Sequence, residues 1–141
     1  MAGWRVGMIS GNAELIDAVL RVKSNMDSGM FFGIQKGAIE ALKSDQSWFD
    51  SMNEIYKRRR VLTEQLAEKL GCTVYAAGVG LFVWAKLPEG IASAEKFIDQ
   101  ILHEKYIFIA PGTIFGSNGE GYIRFALCVK EEKVQEAIDR F

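Results

Sequence analysis

The sequence contains one stretch, Gly121-Tyr122-Ile123-Arg124-Phe125-Ala126-Leu127-Cys128-Val129, in which apolar residues alternate along the chain. This period of two predicts a strand over 122–129 that buries one face, formed by Ile123, Phe125, Leu127 and Val129. Arg124 is the only charge on the opposite face, where a guanidinium is costly unless an anion meets it. That anion could be a bound carboxylate, which matches the arginine fork with two parallel hydrogen bonds. An internal salt bridge to Glu120 or Glu131 would explain the residue equally well.

The composition predicts an ordinary globular protein of one core, or one domain with part of a second. The chain has 141 residues, of which 49% are hydrophobic and 25% charged, and its net charge is -1. Because the chain has no excess of basic residues, neither nucleic acid nor an anionic membrane surface is expected as a partner. Cys72 and Cys128 form no CxxC pair, which favours a cytoplasmic protein. His103 is the only histidine, and no metal constellation surrounds it, so no metal site is expected.

The first half of the chain is predicted to be helical after an extended segment over residues 1–11. Asn12 is a plausible N-cap for a first helix, and a second helix over 30–43 is apolar on two sides. A long third helix is expected to start at Asp45 or Ser47 and to end at Gly71. Its length exceeds what one small domain needs, so we expect it to bridge two bodies.

The second half alternates strands and helices. Strands are predicted over 73–75, 81–87, 107–110 and 122–129, with a bend at Gly78-Val79-Gly80. A helix capped by Ser93 and a last helix over 130–141 complete the pattern. This order predicts an α/β (α+β) fold with a compact sandwich of helices on a sheet.

Two further arginine features stand out. Arg5 lies in the first strand-like stretch, where Gly3 and Gly7 would let a ligand approach closely and the guanidinium could fork onto a phosphate. An arginine on the surface of an edge strand would look the same. The run Lys57-Arg58-Arg59-Arg60 is interpreted as a solvated face or as charges at a domain interface.

Four segments resemble the class I/II aminotransferases, fold-type I enzymes that use pyridoxal 5′-phosphate (PLP). They are Met1–Gly7, Ser24–Gly29 followed by Gln35, Pro111–Gly116, and Gly121–Arg124. The second of these segments is particularly similar to the bacterial aspartate and diaminopimelate aminotransferase-like branches. The resemblance implies that residues 1–46 end the large PLP-binding domain, that 47–71 form the interdomain helix, and that 72–141 form the small C-terminal domain.

The same resemblance implies roles for individual residues. Arg5 would bind the PLP phosphate, and Arg124 would bind the α-carboxylate of the amino-acid substrate. Gly80 and Phe82 match a small-domain strand near the substrate, and Asn25 would approach the active site or the dimer partner. Amino acids and 2-oxo acids would be the substrates, and a homodimer is expected.

The family's lysine that carries the cofactor would lie upstream of Met1, so this chain resembles a C-terminal fragment that is inactive alone. Two alternatives remain open. The parent could be a lyase or synthase of the same fold, which would share both arginines. The chain could instead be a non-catalytic ligand-binding or interaction domain.

Overall fold

The computed structural model of this protein describes residues 2–75 and 78–141. Met1 of the first motif and Ala76–Ala77, which precede the predicted glycine bend, lie outside the described residues. The chain divides into two units, Met1–Phe49 and Asp50–Phe141. No helix among the described residues is long and apolar enough to cross a membrane.

The first unit is built from helices α1 (Ala13–Met26) and α2 (Phe32–Ala41) and the first residues of α3 (Gln46–Lys69). Asn12 caps α1 as predicted, because its side-chain oxygen accepts hydrogen bonds from the backbone N–H groups of Glu14 and Leu15 at 2.9 and 3.4 Å. Neither α1 nor α2 contains a buried residue. Most of their large apolar side chains, such as Leu20 at 60% and Phe32 at 65% exposure, therefore face solvent.

The prediction of an extended segment around Arg5 is wrong. Residues Ala2–Trp4 form a 3-10 turn, and Arg5 follows in the left-handed region with φ 55°. The alternation of Trp4 and Val6 is too short to specify a strand. The described sheet also offers no strand that pairs with this segment.

The long helix α3 has the predicted limits. Asp45 accepts a hydrogen bond from the backbone N–H of Trp48 at 3.0 Å, and Gly71 lies just beyond the helix with φ 72°. The hydroxyl of Ser47 and the Trp48 N–H both lower the pKa of Asp45. The boundary between the two units falls within the first turns of this helix.

The second unit contains a four-stranded antiparallel sheet in the order β1-β2-β4-β3, formed by Thr73–Val74, Phe82–Lys86, Tyr122–Ala126 and Ala110–Pro111. Helices α4 (Ala94–Lys105) and α5 (Glu131–Asp139) and the C-terminal half of α3 pack against it. One face of the sheet is buried with these helices, through Val83, Ala85, Ile123 and Phe125. This architecture confirms the predicted α/β fold class.

All four strands are shorter than predicted, and β3 and β4 differ most from the prediction. β4 ends at Ala126, and although Leu127 is still buried, Val129 is 46% exposed and lies in the turn that enters α5. β3 comprises only Ala110–Pro111, because Tyr106 ends α4 in a left-handed conformation and residues 106–109 do not pair with β4. A proline at this position has no N–H to donate, which suits an edge strand.

Candidate functional site

Arg124 lies on β4, in the interior of the sheet. Its Cα pairs with Trp84 of β2 on one side and with Ala110 of β3 on the other. The side chain is half-buried on the face opposite the core, as the alternation predicted. The sheet therefore fixes the backbone of this arginine from both sides.

Two phenylalanine rings contact the guanidinium of Arg124. Its central carbon lies 4.1 Å from the ring centre of Phe82 and 3.8 Å from that of Phe115. Both distances are well inside the range of a cation–π contact. Phe82 was singled out in the sequence as a possible substrate residue, and the fold brings it to Arg124. Phe115 was not singled out, although it stands in the Pro111–Gly116 motif.

The two carboxylates that could have neutralised Arg124 are engaged elsewhere. Glu120 accepts hydrogen bonds from the backbone N–H groups of Ala94 at 2.8 Å and Gly121 at 3.1 Å. Glu131 pairs with Arg59, whose Nε lies 3.4 Å from its carboxylate oxygen. Within the described ranges, no carboxylate oxygen lies within 4.0 Å of the Arg124 guanidinium. The edges of this cation are therefore available to an external anion.

An aromatic surface continues from Arg124 across the sheet. Trp84 meets the ring of Phe115 edge to face at 5.7 Å and stacks on Tyr122 at 5.9 Å. Tyr75 extends the row, with its ring centre 6.4 Å from that of Tyr122. The Tyr75 hydroxyl, by hydrogen bonding and then by charge, raises the pKa of Tyr122. A ligand held by Arg124 would thus lie beside a largely apolar surface.

The start of β2 is held by α3. Arg60 donates hydrogen bonds to the carbonyl oxygens of Gly80 at 3.3 Å and Phe82 at 3.4 Å. Gly80 has φ 88°, a conformation that favours glycine. Gly80 therefore shapes the turn that delivers Phe82 to Arg124. The basic run on α3 is not simply a solvated face, because Arg60 and Arg59 bind elements of their own unit.

The remaining predicted site residues, Arg5 and Asn25, lie in the first unit. Arg5 is exposed, and no ion pair of its guanidinium occurs among the described residues. Its positive φ is uncommon outside glycine, and such strain clusters at functional sites. A free guanidinium beside two glycines fits a phosphate group. Asn25 donates its side-chain amide to the carbonyl of Arg21 at 2.6 Å, so this donor is used within α1.

The described residues contain no cluster of three side chains that could hold a metal ion. His103 is exposed on α4. Arg5 in the first unit and Arg124 in the second are each a cation that an anionic group could bind.

Curated aminotransferases are similar to this chain along almost its whole length. LL-diaminopimelate aminotransferase from Oleidesulfovibrio alaskensis is 39% identical over 140 residues, which cover 99% of this chain and 36% of that protein. The enzyme of the same name from Halothermothrix orenii is 41% identical with the same coverage. This chain thus spans about a third of the length of the curated relatives it matches.

Solved structures agree with these sequence matches. An aminotransferase from Staphylococcus aureus superimposes with a TM-score of 0.82 at 34% identity, covering 99% of this chain and 37% of that one. Aspartate aminotransferase from Thermotoga maritima gives a TM-score of 0.77 at 26% identity, over 99% of this chain and 35% of that one. The family model described as aminotransferase class I and II matches residues 1–141. This chain therefore belongs to the class I and II aminotransferase family.

Proposed function

We propose that this chain is the C-terminal part of a PLP-dependent aminotransferase and that Arg124 binds the α-carboxylate of its substrates. One observation carries the proposal: the guanidinium is half-buried between two aromatic rings, and no described carboxylate neutralises it. A buried or half-buried cation without a partner is costly unless a ligand supplies one. Amino acids and 2-oxo acids both carry a planar carboxylate that matches its fork.

In this proposal the residues of the chain bind and orient, and the cofactor supplies the electron sink for proton removal at the substrate Cα. Arg124 fixes the carboxylate end of either substrate, so the reacting carbon is held at a constant position. Arg5 would hold the cofactor phosphate. The lysine that carries the cofactor lies in the longer protein, so this chain alone is inactive.

The relatives favour a substrate of a particular class. Both curated relatives described above carry the name LL-diaminopimelate aminotransferase. We therefore propose a diaminopimelate-like or aspartate-like amino donor, with a 2-oxo acid as acceptor. We also propose that the parent protein is a cytoplasmic homodimer. A lyase or synthase of the same fold would use both arginines as well, but it would need no 2-oxo acid.

The experiment uses the full-length protein loaded with PLP, with LL-diaminopimelate or aspartate as donor and 2-oxoglutarate as acceptor. Arg124→Gln should lower kcat/KM about 100-fold or more, because the bidentate contact is lost. Arg58→Gln is the matched control, since Arg58 is 61% exposed and pairs only loosely with Glu131 at 3.7 Å. Unchanged kcat/KM in Arg124→Gln would overturn the assignment. Turnover without the 2-oxo acid would identify a lyase or synthase.

A second measurement addresses Arg5 through cofactor retention. Arg5→Gln should release PLP faster during dialysis than the unmodified protein does, because the phosphate loses its fork. Arg21→Gln, another exposed arginine of the same unit, is the control. Equal retention in both variants would remove Arg5 from the phosphate site.

A further inference from the structure

We propose that Phe82 and Phe115 are positioning residues that hold the Arg124 guanidinium in the orientation that receives a carboxylate. The inference rests on the proposed function of Arg124 and deepens it. The ring centres of Phe82 and Phe115 lie 4.1 and 3.8 Å from the central carbon of the Arg124 guanidinium. The two rings come from different elements, since Phe82 starts β2 and Phe115 ends the 3-10 turn Gly112–Phe115.

The geometry of a guanidinium explains why two rings matter. Its N–H donors lie in one plane, and a carboxylate binds in that plane through two parallel hydrogen bonds. A ring stacked on a face of the guanidinium leaves the N–H edges available to ligands. Because the rings also displace water from the faces, hydrogen bonds at the edges gain strength from the lower local dielectric. Arg124 then loses less side-chain freedom when the ligand binds.

Other residues keep both rings in place. The ring of Phe115 is met edge to face by Trp84 at 5.7 Å, so Phe115 lies between Trp84 and Arg124. The backbone of Phe82 is held by Arg60, which donates a hydrogen bond to the Phe82 carbonyl oxygen at 3.4 Å, and by its pairing with Ala126 of β4. The order Trp84, Phe115, Arg124, Phe82 is therefore a supported stack rather than a chance contact of one mobile side chain.

The test measures carboxylate binding in the full-length, PLP-loaded protein. The probe is heptanedioate, a dicarboxylate with the carbon chain of diaminopimelate but no amino group to react, and its inhibition constant is measured. Phe115→Leu and Phe82→Leu should each raise this constant and KM by about tenfold, with kcat changing much less. Phe115→Tyr and Phe82→Tyr retain an aromatic face and should restore binding.

Two controls separate positioning from general damage. Phe141→Leu removes another ring that contacts a cation, Lys105 at 5.5 Å, and should leave the inhibition constant unchanged. In an Arg124→Gln background, Phe115→Leu should have no further effect, because the ring acts only through the arginine. Phe82 and Phe115 are 45% and 47% exposed, so their replacement leaves little cavity in the fold.

The outcomes distinguish this inference from the function beneath it. If Arg124→Gln leaves heptanedioate binding intact, the proposed function fails. If Arg124→Gln weakens binding but both leucine variants bind normally, only the positioning role is overturned. An effect of Phe115→Leu that persists at full size in the Arg124→Gln background also overturns it, since the ring would then act independently.

Discussion

Gly112 and Gly119 pack backbone against backbone, so tightly that a Cβ on Gly112 would lie 2.1 Å from the carbonyl oxygen of Gly119. The converse is also true, because a Cβ on Gly119 would lie 2.0 Å from the carbonyl oxygen of Gly112. These glycines begin and end the two consecutive 3-10 turns that carry Phe115. Their contact therefore sets the position of the loop that places a ring on Arg124.

Gly112→Ala should destabilise the second unit. The new methyl group meets backbone atoms, which cannot rotate away as a side chain could, so the loop must shift as a whole. We expect a loss of about 2–4 kcal/mol in the free energy of unfolding, measured by urea denaturation. The displaced Phe115 should also weaken carboxylate binding.

The matched control is Gly78→Ala in the same unit. A Cβ there would lie 3.5 Å from the carbonyl oxygen of Tyr75, which is an ordinary contact. Its unfolding free energy should stay within about 0.5–1 kcal/mol of the unmodified protein. Equal stabilities for the two alanine variants would show that the loop opens at no cost.

Glu120 connects the same loop to α4 and offers a second prediction. Its carboxylate accepts a hydrogen bond from the first residue of the helix, Ala94, at 2.8 Å. Glu120→Ala leaves that N–H without its partner and should cost about 1–2 kcal/mol in thermal or urea unfolding. Glu89→Ala, at an exposed turn position, should be close to neutral. Similar losses in both variants would contradict a capping role.

The sequence predicted the helices well because their signals are local. Asn12, Asp45 and Ser93 each precede a helix and accept a hydrogen bond from its first turn, so short spacing was enough. The site was predicted less completely. Alternation along 122–129 identified Arg124 and the face of the strand on which it lies. The ring of Phe115 comes from a loop whose path depends on the backbone contact between Gly112 and Gly119, which no periodic pattern predicts.

The role of Arg59 is another feature that sequence periodicity does not predict. Arg59 breaks the apolar stripe of α3, yet its side chain is only 18% exposed. It donates a hydrogen bond to the carbonyl oxygen of Leu127 at 3.1 Å, where the predicted strand gives way to a turn. A one-dimensional pattern contains no information on that carbonyl. For the same reason it placed Arg5 in a strand without a pairing partner.

The pair formed by Arg59 and Glu131 predicts a pH dependence of stability. The backbone N–H of Glu131 and then Arg59 lower the pKa of this carboxyl below its usual 4.5, although partial burial opposes them. A lowered folded pKa means that the stabilisation is present above about pH 4.5 and is lost as the pH falls through the folded pKa. Glu131→Gln should therefore be less stable than the unmodified protein at pH 7, and the difference should shrink in acid.

Urea midpoints measured from pH 7 to pH 3 provide the check. Glu132→Gln is the neighbouring control, because this exposed glutamate makes no ion pair within the described residues. Its stability difference should be small at every pH. A Glu131→Gln difference that stays constant down to pH 3 would show that the carboxylate charge contributes nothing.

Cys72 and Cys128 should differ strongly in reactivity towards a thiol reagent. Burial raises the pKa of the Cys72 thiol to about 11, whereas Cys128 is exposed. Since the thiolate is the nucleophile, we expect Cys128 to react first at pH 8 and Cys72 only when the protein unfolds. Labelling is followed by absorbance, and Cys128→Ser should remove the fast phase.

The raised pKa of the Cys72 thiol also means that this thiol ionises first in the unfolded protein, so stability should fall as the pH rises from about 9 towards 11. Cys72→Ala would flatten this alkaline decline, and an identical decline in both proteins would exclude Cys72 as its cause.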